Sequence, residues 1–191
     1  MAKLAQSGRG IAIEGIAVIS ADGMIADAAG VQPDELKLDA DQRFFHDTLD
    51  AADALVHGRN SGEGGPRAAQ RRRIVMTRRV PAAARDQGSE RTVWWNPDGA
   101  PFDKALALLD PPARRVTVIG GTDAFGLFLE SGYDVFHLSR AAHARLPGGR
   151  PLFPGVPDIS PEDLLARHGL KPEPVRVLDA LASLTLTTWR R

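Results

Sequence analysis

The sequence contains no cysteine, which excludes disulfides, thiolate catalysis and cysteine-based metal sites. Its five histidines are scattered rather than clustered, so no metal site is expected. Neither sign of charge is in excess, with 24 Lys and Arg against 24 Asp and Glu. That balance offers no general attraction to nucleic acid or to an anionic membrane surface. No stretch approaches the ~20 apolar residues of a membrane span. Residues 1–10 are small and polar, and the apolar run behind them is interrupted by Glu14, unlike a secretory signal. A cytoplasmic location is therefore the expectation. Internal repeats and a linker strong enough to split the chain are also missing.

What is present suits one soluble globular domain. The 191 residues are 43% hydrophobic and 25% charged, enough for one sizeable core. A single domain over 1–191 is expected, with 1–10 a flexible N-terminus. Ile11 to Ser20 reads as a buried strand ended by the turn Ala21-Asp22-Gly23. Leu38 to Leu49 carries a helical apolar face that Asp39 can cap. Strands follow at Ala52–His57, Arg73–Thr77, Thr92–Trp95, Val116–Ile119 and Asp134–Leu138. Helices are expected at Phe102–Leu109, Thr122–Glu130 and Asp163–His168. The Pro/Gly-rich stretch Leu146–Pro161 shows no regular element. Val175 to Trp189 reads as two strands joined near Asp179–Ala182. Strands alternating with helices, then strands pairing at the end, predict an α/β fold with a mostly parallel central sheet and an antiparallel C-terminal edge.

Ligands in such sheets bind beyond the C-terminal ends of the strands, so the residues just after each strand are the informative ones. In Val116-Thr-Val-Ile-Gly120-Gly121-Thr122-Asp123-Ala-Phe125, a strand runs through two glycines into a helix. Glycines admit a ligand close to the backbone, and the helix start offers free N–H groups to a phosphate. A plain strand–helix turn has the same pattern, and Asp123 sets a negative charge in the first helical turn. Thr77-Arg78-Arg79 follows another strand within a stretch, Arg67 to Arg91, holding eight arginines against two acids. Guanidinium forks suit phosphate oxygens, although a solvated basic surface is the commoner fate of such a run. His57-Gly58-Arg59-Asn60-Ser61 ends a third strand and leads into a Gly-rich loop to Pro66. Asp39 and Asp41 stand beside Phe44-Phe45, where a carboxylate against aromatic surface can hold an amino-pyrimidine or pterin ring. Either acid can instead serve only the helix start, the reading preferred for Asp39.

In this order the segments resemble the dihydrofolate reductase superfamily, and within it the C-terminal reductase domain of bacterial riboflavin biosynthesis. Ile16 to Ala26 is similar to the family's first strand and its Ser-x-Asp-Gly-x-Ile-Ala turn. Ala52 to Arg59 resembles its Gly-Arg signature, and Ile74 to Arg78 its strand ending in Thr/Ser-Arg. Val118-Ile-Gly120-Gly121 is similar to its most diagnostic motif. Leu146-Pro-Gly-Gly-Arg150-Pro-Leu-Phe153-Pro154 resembles the segment that closes the sheet in the riboflavin-type reductases. The matching pieces cover Gly15 to about Val156.

The resemblance implies a three-layer fold and an NADPH-dependent reductase of a small molecule, either a pterin or a ribosylaminopyrimidine. It implies that Gly58, Arg59, Asn60 and Ser61 lie along the cofactor phosphates. Thr77, Arg78 and Arg79 would take the adenosine side, with charge suited to a 2′-phosphate. Gly120, Gly121, Thr122 and Asp123 would pass under the pyrophosphate, and Phe125 would stand near the nicotinamide. Ala21 and Ile25 would touch the cofactor, and Ser20, Asp22, Gly23 and Phe45 the substrate. Asp41 falls at the pterin-binding acid, the catalytic candidate. Two positions depart from the known branches. No Trp precedes the acid-bearing helix, and Ile16 stands where riboflavin reductases usually carry Lys. Relatives of that branch pair, so a homodimer is expected, with Trp94-Trp95 either an apolar contact patch or part of a buried strand.

Overall fold

The computed structural model describes residues 10–65 and 67–191; the expected flexible N-terminus, apart from Gly10, lies outside them. The first half of the fold comprises β1 (Ala12–Ser20), β2 (Met24–Ala26), α1 (Asp39–Asp50), β3 (Ala54–Gly58), β4 (Arg73–Met76), β5 (Ala83–Asp86) and β6 (Ser89–Trp95). The second half comprises α2 (Phe102–Leu106), β7 (Arg115–Gly120), α3 (Thr122–Ser131), β8 (Val135–Ala141), β9 (Arg150–Pro151), α4 (Pro161–Arg167), β10 (Lys171–Pro172), β11 (Arg176–Asp179) and β12 (Leu184–Arg190).

One large sheet runs β10-β12-β8-β1-β7-β3-β4-β6-β5, with β11 also on β12. Its centre is parallel, from β8 through β1, β7, β3 and β4 to β6. The C-terminal strands add antiparallel to β8, as the alternation Leu184-Thr-Leu186-Thr predicts. The other edge is antiparallel too, because β5 returns on β6. That strand carries Arg85 and Asp86 behind Pro81 and has no apolar alternation, so its sequence gives no strand signal.

Burial follows from the period of the strands. The central β3 is covered on both faces, and Ala54, Leu55 and Val56 are all buried, as parallel strands between helical layers must be. On one face the core is aromatic: Phe125, Phe128, Tyr133, Phe136 and Phe153 are all inaccessible to solvent or nearly so. Phe102 packs edge-on to Phe128 at 5.0 Å, and Tyr133 edge-on to Phe136 at 5.0 Å. Such pairs add about 0.5–1.5 kcal/mol beyond the area they bury. On the other face α1 lays Leu49, Phe44 and Phe45 over Ile16, Leu55 and Ile119. Trp95 is fully buried beside Phe102, and its indole N–H donates to the Ala100 carbonyl at 2.9 Å. It is therefore a core residue and not part of a contact patch; Trp94 is half-buried.

Two local expectations are corrected. Asp39 does not cap α1: it is the first helical residue, the cap position is Leu38, and no side chain accepts a hydrogen bond there. The stretch Leu146–Pro161 contains one short regular piece, β9, which pairs antiparallel with β2. A single sheet with its helices packed around it forms one structural unit over the described residues.

Candidate active site

Two connected cavities open at the C-terminal ends of β1, β3, β4 and β7. The inner one, about 550 Å³, lies between α1 and the ends of β1 and β7, and is lined by Ile16, Ile25, Asp41, Phe45, Gly120 and Phe125 among others. The outer one is a groove of about 850 Å³ walled by Gly58, Arg59, Thr77, Arg78, Arg79, Thr122 and Asp123. Ile25, Ala26, Gly30, Asn60, Ser61 and Gly121 line both, so the two spaces meet along these residues.

The floor of the junction is Gly120-Gly121, joined by a cis peptide bond. Gly120 has φ +140°, a conformation that residues with a Cβ rarely adopt. A Cβ on Gly121 would stand 2.8 Å from the Ser61 hydroxyl oxygen. Both glycines thus keep the backbone bare where the cavities join, directly ahead of the start of α3.

At the inner end, Asp41 is only 3% exposed. Burial pushes its carboxyl up from 3.8 to about 6, partly offset by a hydrogen bond from Ser139. No cation compensates it there. His137, two residues before Ser139 on β8, packs edge-on to Phe44 and has a pKa lowered to about 4 by its own burial, so it is neutral at pH 7. Among the described residues, no Lys or Arg lines this cavity. His46 is its basic side chain, and Gln32 and Gln42 add amide groups.

The outer groove differs in charge. Arg59, Arg78, Arg79 and Arg150 face Asp98 and Asp123 across it. Thr77 is fixed at its base: its N–H donates to Trp95 O at 2.8 Å, and its hydroxyl oxygen accepts from Arg79 N–H at 3.2 Å. Arg78 stands 3.7 Å from Asp98, and both are exposed. The remaining arginines of the stretch have internal partners. Arg71 and Arg73 hold Glu63 at 3.0 and 3.2 Å, and Glu63 is only 2% exposed. Arg71 also pairs with Asp50 at 2.6 Å. Glu63 thereby ties the Gly-rich loop, which roofs the inner cavity, to the sheet. Beneath that loop His57 is buried, with Nδ1 2.8 Å from Gly58 O.

Of the residues singled out in the sequence, Asp41, Phe45, Phe125 and Gly120 come together at the inner cavity. Gly58, Arg59, Thr77, Arg78, Arg79, Thr122 and Asp123 come together along the groove, with Ile25, Asn60, Ser61 and Gly121 at the junction. Ser20, Ala21, Asp22 and Gly23 line neither cavity. The Ser20 hydroxyl donates to the Asp22 carboxylate and accepts from Met24 N–H at 3.0 Å. Asp22 also accepts from Leu146 N–H at 3.1 Å. These contacts, with burial opposing, hold the Asp22 carboxyl below its usual range. Gly23 has φ +85°, and a Cβ there would meet Val156 at 2.7 Å. This turn is built by its own hydrogen bonds. Sequence reasoning missed Gln42, Glu63, Asp98 and Arg150. Glu63 had a readable signal, one acid in a glycine loop ahead of an arginine run.

The fold is the dihydrofolate-reductase type. Four solved structures share it at low identity. A riboflavin biosynthesis protein from Shewanella sp. PV-4 is 22% identical, with TM-score 0.66, 95% of this chain covered and 99% of that one. Dihydrofolate reductase from Enterococcus faecalis, complexed with NADP(H), is 18% identical, with TM-score 0.64, 96% of this chain covered and 97% of that one. A pyrimidine reductase-like protein from Corynebacterium diphtheriae is 15% identical, with TM-score 0.65, 94% of this chain covered and 91% of that one. The deaminase/reductase of Thermotoga maritima is 18% identical, with TM-score 0.63 over 94% of this chain, which spans 56% of that protein. No family model and no curated protein matches the sequence. Among the described residues, no helix is long and apolar enough to cross a membrane, and no group of three or more His, Asp or Glu is placed to hold a metal.

Proposed function

We propose that the protein is an NADPH-dependent reductase of a small amino-heteroaromatic ring, a pterin or a ribosylaminopyrimidine. The observation that carries this reading is the pairing of a cationic groove with a buried carboxylate across a glycine floor. The groove residues fit a dinucleotide phosphate. Arg59, Arg78 and Arg79 supply guanidinium forks, and the bare backbone at Gly120-Gly121 and the start of α3 supply close approach. Bound there, NADPH would supply the hydride; the protein supplies orientation and proton control.

Asp41 would accept two N–H groups from the ring edge and fix which ring atom faces the junction. Its carboxyl, titrating near 6, carries a proton at mildly acid pH and can donate it to a ring nitrogen next to the atom being reduced. Phe45 and Ile25 would cover the ring, and the Gly-rich loop held by Glu63 would exclude water. The absence of Lys or Arg among the described lining residues of the inner cavity favours a ring without a phosphate there. Ile16 at that wall agrees with this preference.

Titration with NADPH and NADH by calorimetry tests the reading. Micromolar NADPH binding, weaker NADH binding and oxidation of NADPH with a dihydropterin or a ribosylaminopyrimidine are expected. Binding of neither nucleotide would refute it; tight binding without turnover on a broad substrate panel would mark a nucleotide-binding module instead.

A further inference from the structure

A turn that presents residues to two cavities can be a lid or a fixed wall, and the hydrogen bonds around Ser20–Gly23 decide between them. Arg140, on β8, lies partly buried at the end of the sheet, beside β1. One terminal nitrogen donates to Ala21 O at 2.9 Å and to Ser20 O at 3.3 Å. The other donates to the Glu162 carboxylate at 2.5 Å. A single guanidinium therefore ties the end of β1 to the first turn of α4. The planar fork of Arg, with donors in fixed directions, suits such a bridge where an ammonium does not.

Three further ties act on the same turn. Ala21 N–H donates to Ala144 O at 2.8 Å, Leu152 N–H donates to Gly23 O at 3.0 Å, and Asp22 receives Leu146 N–H. Gly23 sits against Val156 and Pro161 with no room for a Cβ. Every one of these partners belongs to residues 140–162. Two residues beyond the turn, Ile25 reaches both cavities.

We propose that Arg140 is a positioning residue: with Glu162 it locks the Ser20–Gly23 turn as a fixed wall, so that Ile25 is held at the cavity junction before any ligand arrives. The turn is then no lid. Its kinetic consequence rests on the reductase reading, whereas its structural content does not.

Hydrogen exchange followed by mass spectrometry, on the ligand-free protein, separates the two. In the unaltered protein the amides of Ala21, Gly23 and Met24 are expected to be protected without nucleotide, and NADPH should add little. Arg140→Met should accelerate exchange in this segment by about tenfold, the loss of about one hydrogen bond, while the peptides of β7 and α3 keep their protection. Glu162→Gln, which preserves an acceptor for the guanidinium, should change it less than Glu162→Ala. If turnover is found, Arg140→Met should lower kcat by about 10- to 100-fold, as a small misplacement near the reacting atoms does, with the KM for NADPH nearly unchanged. Free exchange of the turn without ligand followed by protection on NADPH binding would overturn the proposal, as would unchanged exchange in Arg140→Met. Should Arg140→Met fail to fold, the two Glu162 variants decide the same question. Loss of the reductase reading alone would leave the exchange result standing.

Discussion

The inner cavity and the outer groove share one floor and solve opposite problems. The groove is wet and cationic, and its charges work by position in water. The inner cavity is dry, and its one carboxylate is costly to ionise because no cation faces it. Affinity and chemistry are thus assigned to different dielectric environments a few residues apart: Thr122 faces the groove and Phe125, in the same helix, faces the cavity. A charge change in the groove should act on binding, and a charge change in the cavity on turnover and on the pH response.

The sharpest way to break this contrast is at Asp41. Asp41→Asn should reduce turnover about 100-fold or more, the usual worth of a positioned acid–base group, and leave NADPH affinity within about twofold. Equal loss of both would dissolve the distinction. Next is the double variant Arg78→Glu, Arg79→Glu, expected to weaken NADPH about 100-fold by calorimetry, as charge-assisted hydrogen bonds become repulsions; unchanged affinity would remove the groove from the cofactor reading.

Stability gives the third test. The Asp41 carboxyl binds its proton more tightly when folded than its usual 3.8 allows, so its contribution is most favourable below pH 4. That contribution is lost as pH rises through about 6, by a total of about 3 kcal/mol. Asp41→Asn should therefore raise Tm at pH 8, by several degrees on the scale of ~2–4 °C per kcal/mol, and have little effect at pH 4. A Tm difference independent of pH would show that the carboxyl is not buried as a charge. The smallest effect is expected at the rim. Asp98→Asn releases Arg78 from an exposed pair, which contributes little to stability; NADPH should bind about twofold tighter, with Tm unchanged.

Much of the architecture was legible because it rests on local patterns. Period-2 alternation marked β12, and the run of Val and Ile into Gly120-Gly121 marked β7 and the start of α3. The strand β5 was hidden because a polar edge strand carries no apolar signature. The groove was legible for the same local reason, since glycines and arginines there follow their strands directly. The turn after β1 misled, because the groups that use up Ser20 and Asp22 come from Arg140 and Leu146, more than a hundred residues away. The arginine run misled in part: it reads as uniform positive charge, yet Arg71 and Arg73 are neutralised by Glu63.

That buried carboxylate also bears on how the site can change over evolutionary time. The roof of the inner cavity is fastened to the sheet at Glu63, with two bare glycines between it and Pro66. Insertions or deletions beyond that fastening can alter the shape of the roof without loosening the strands below. Here the protein can drift toward new substrates while the scaffold that carries the cofactor groove stays as it is.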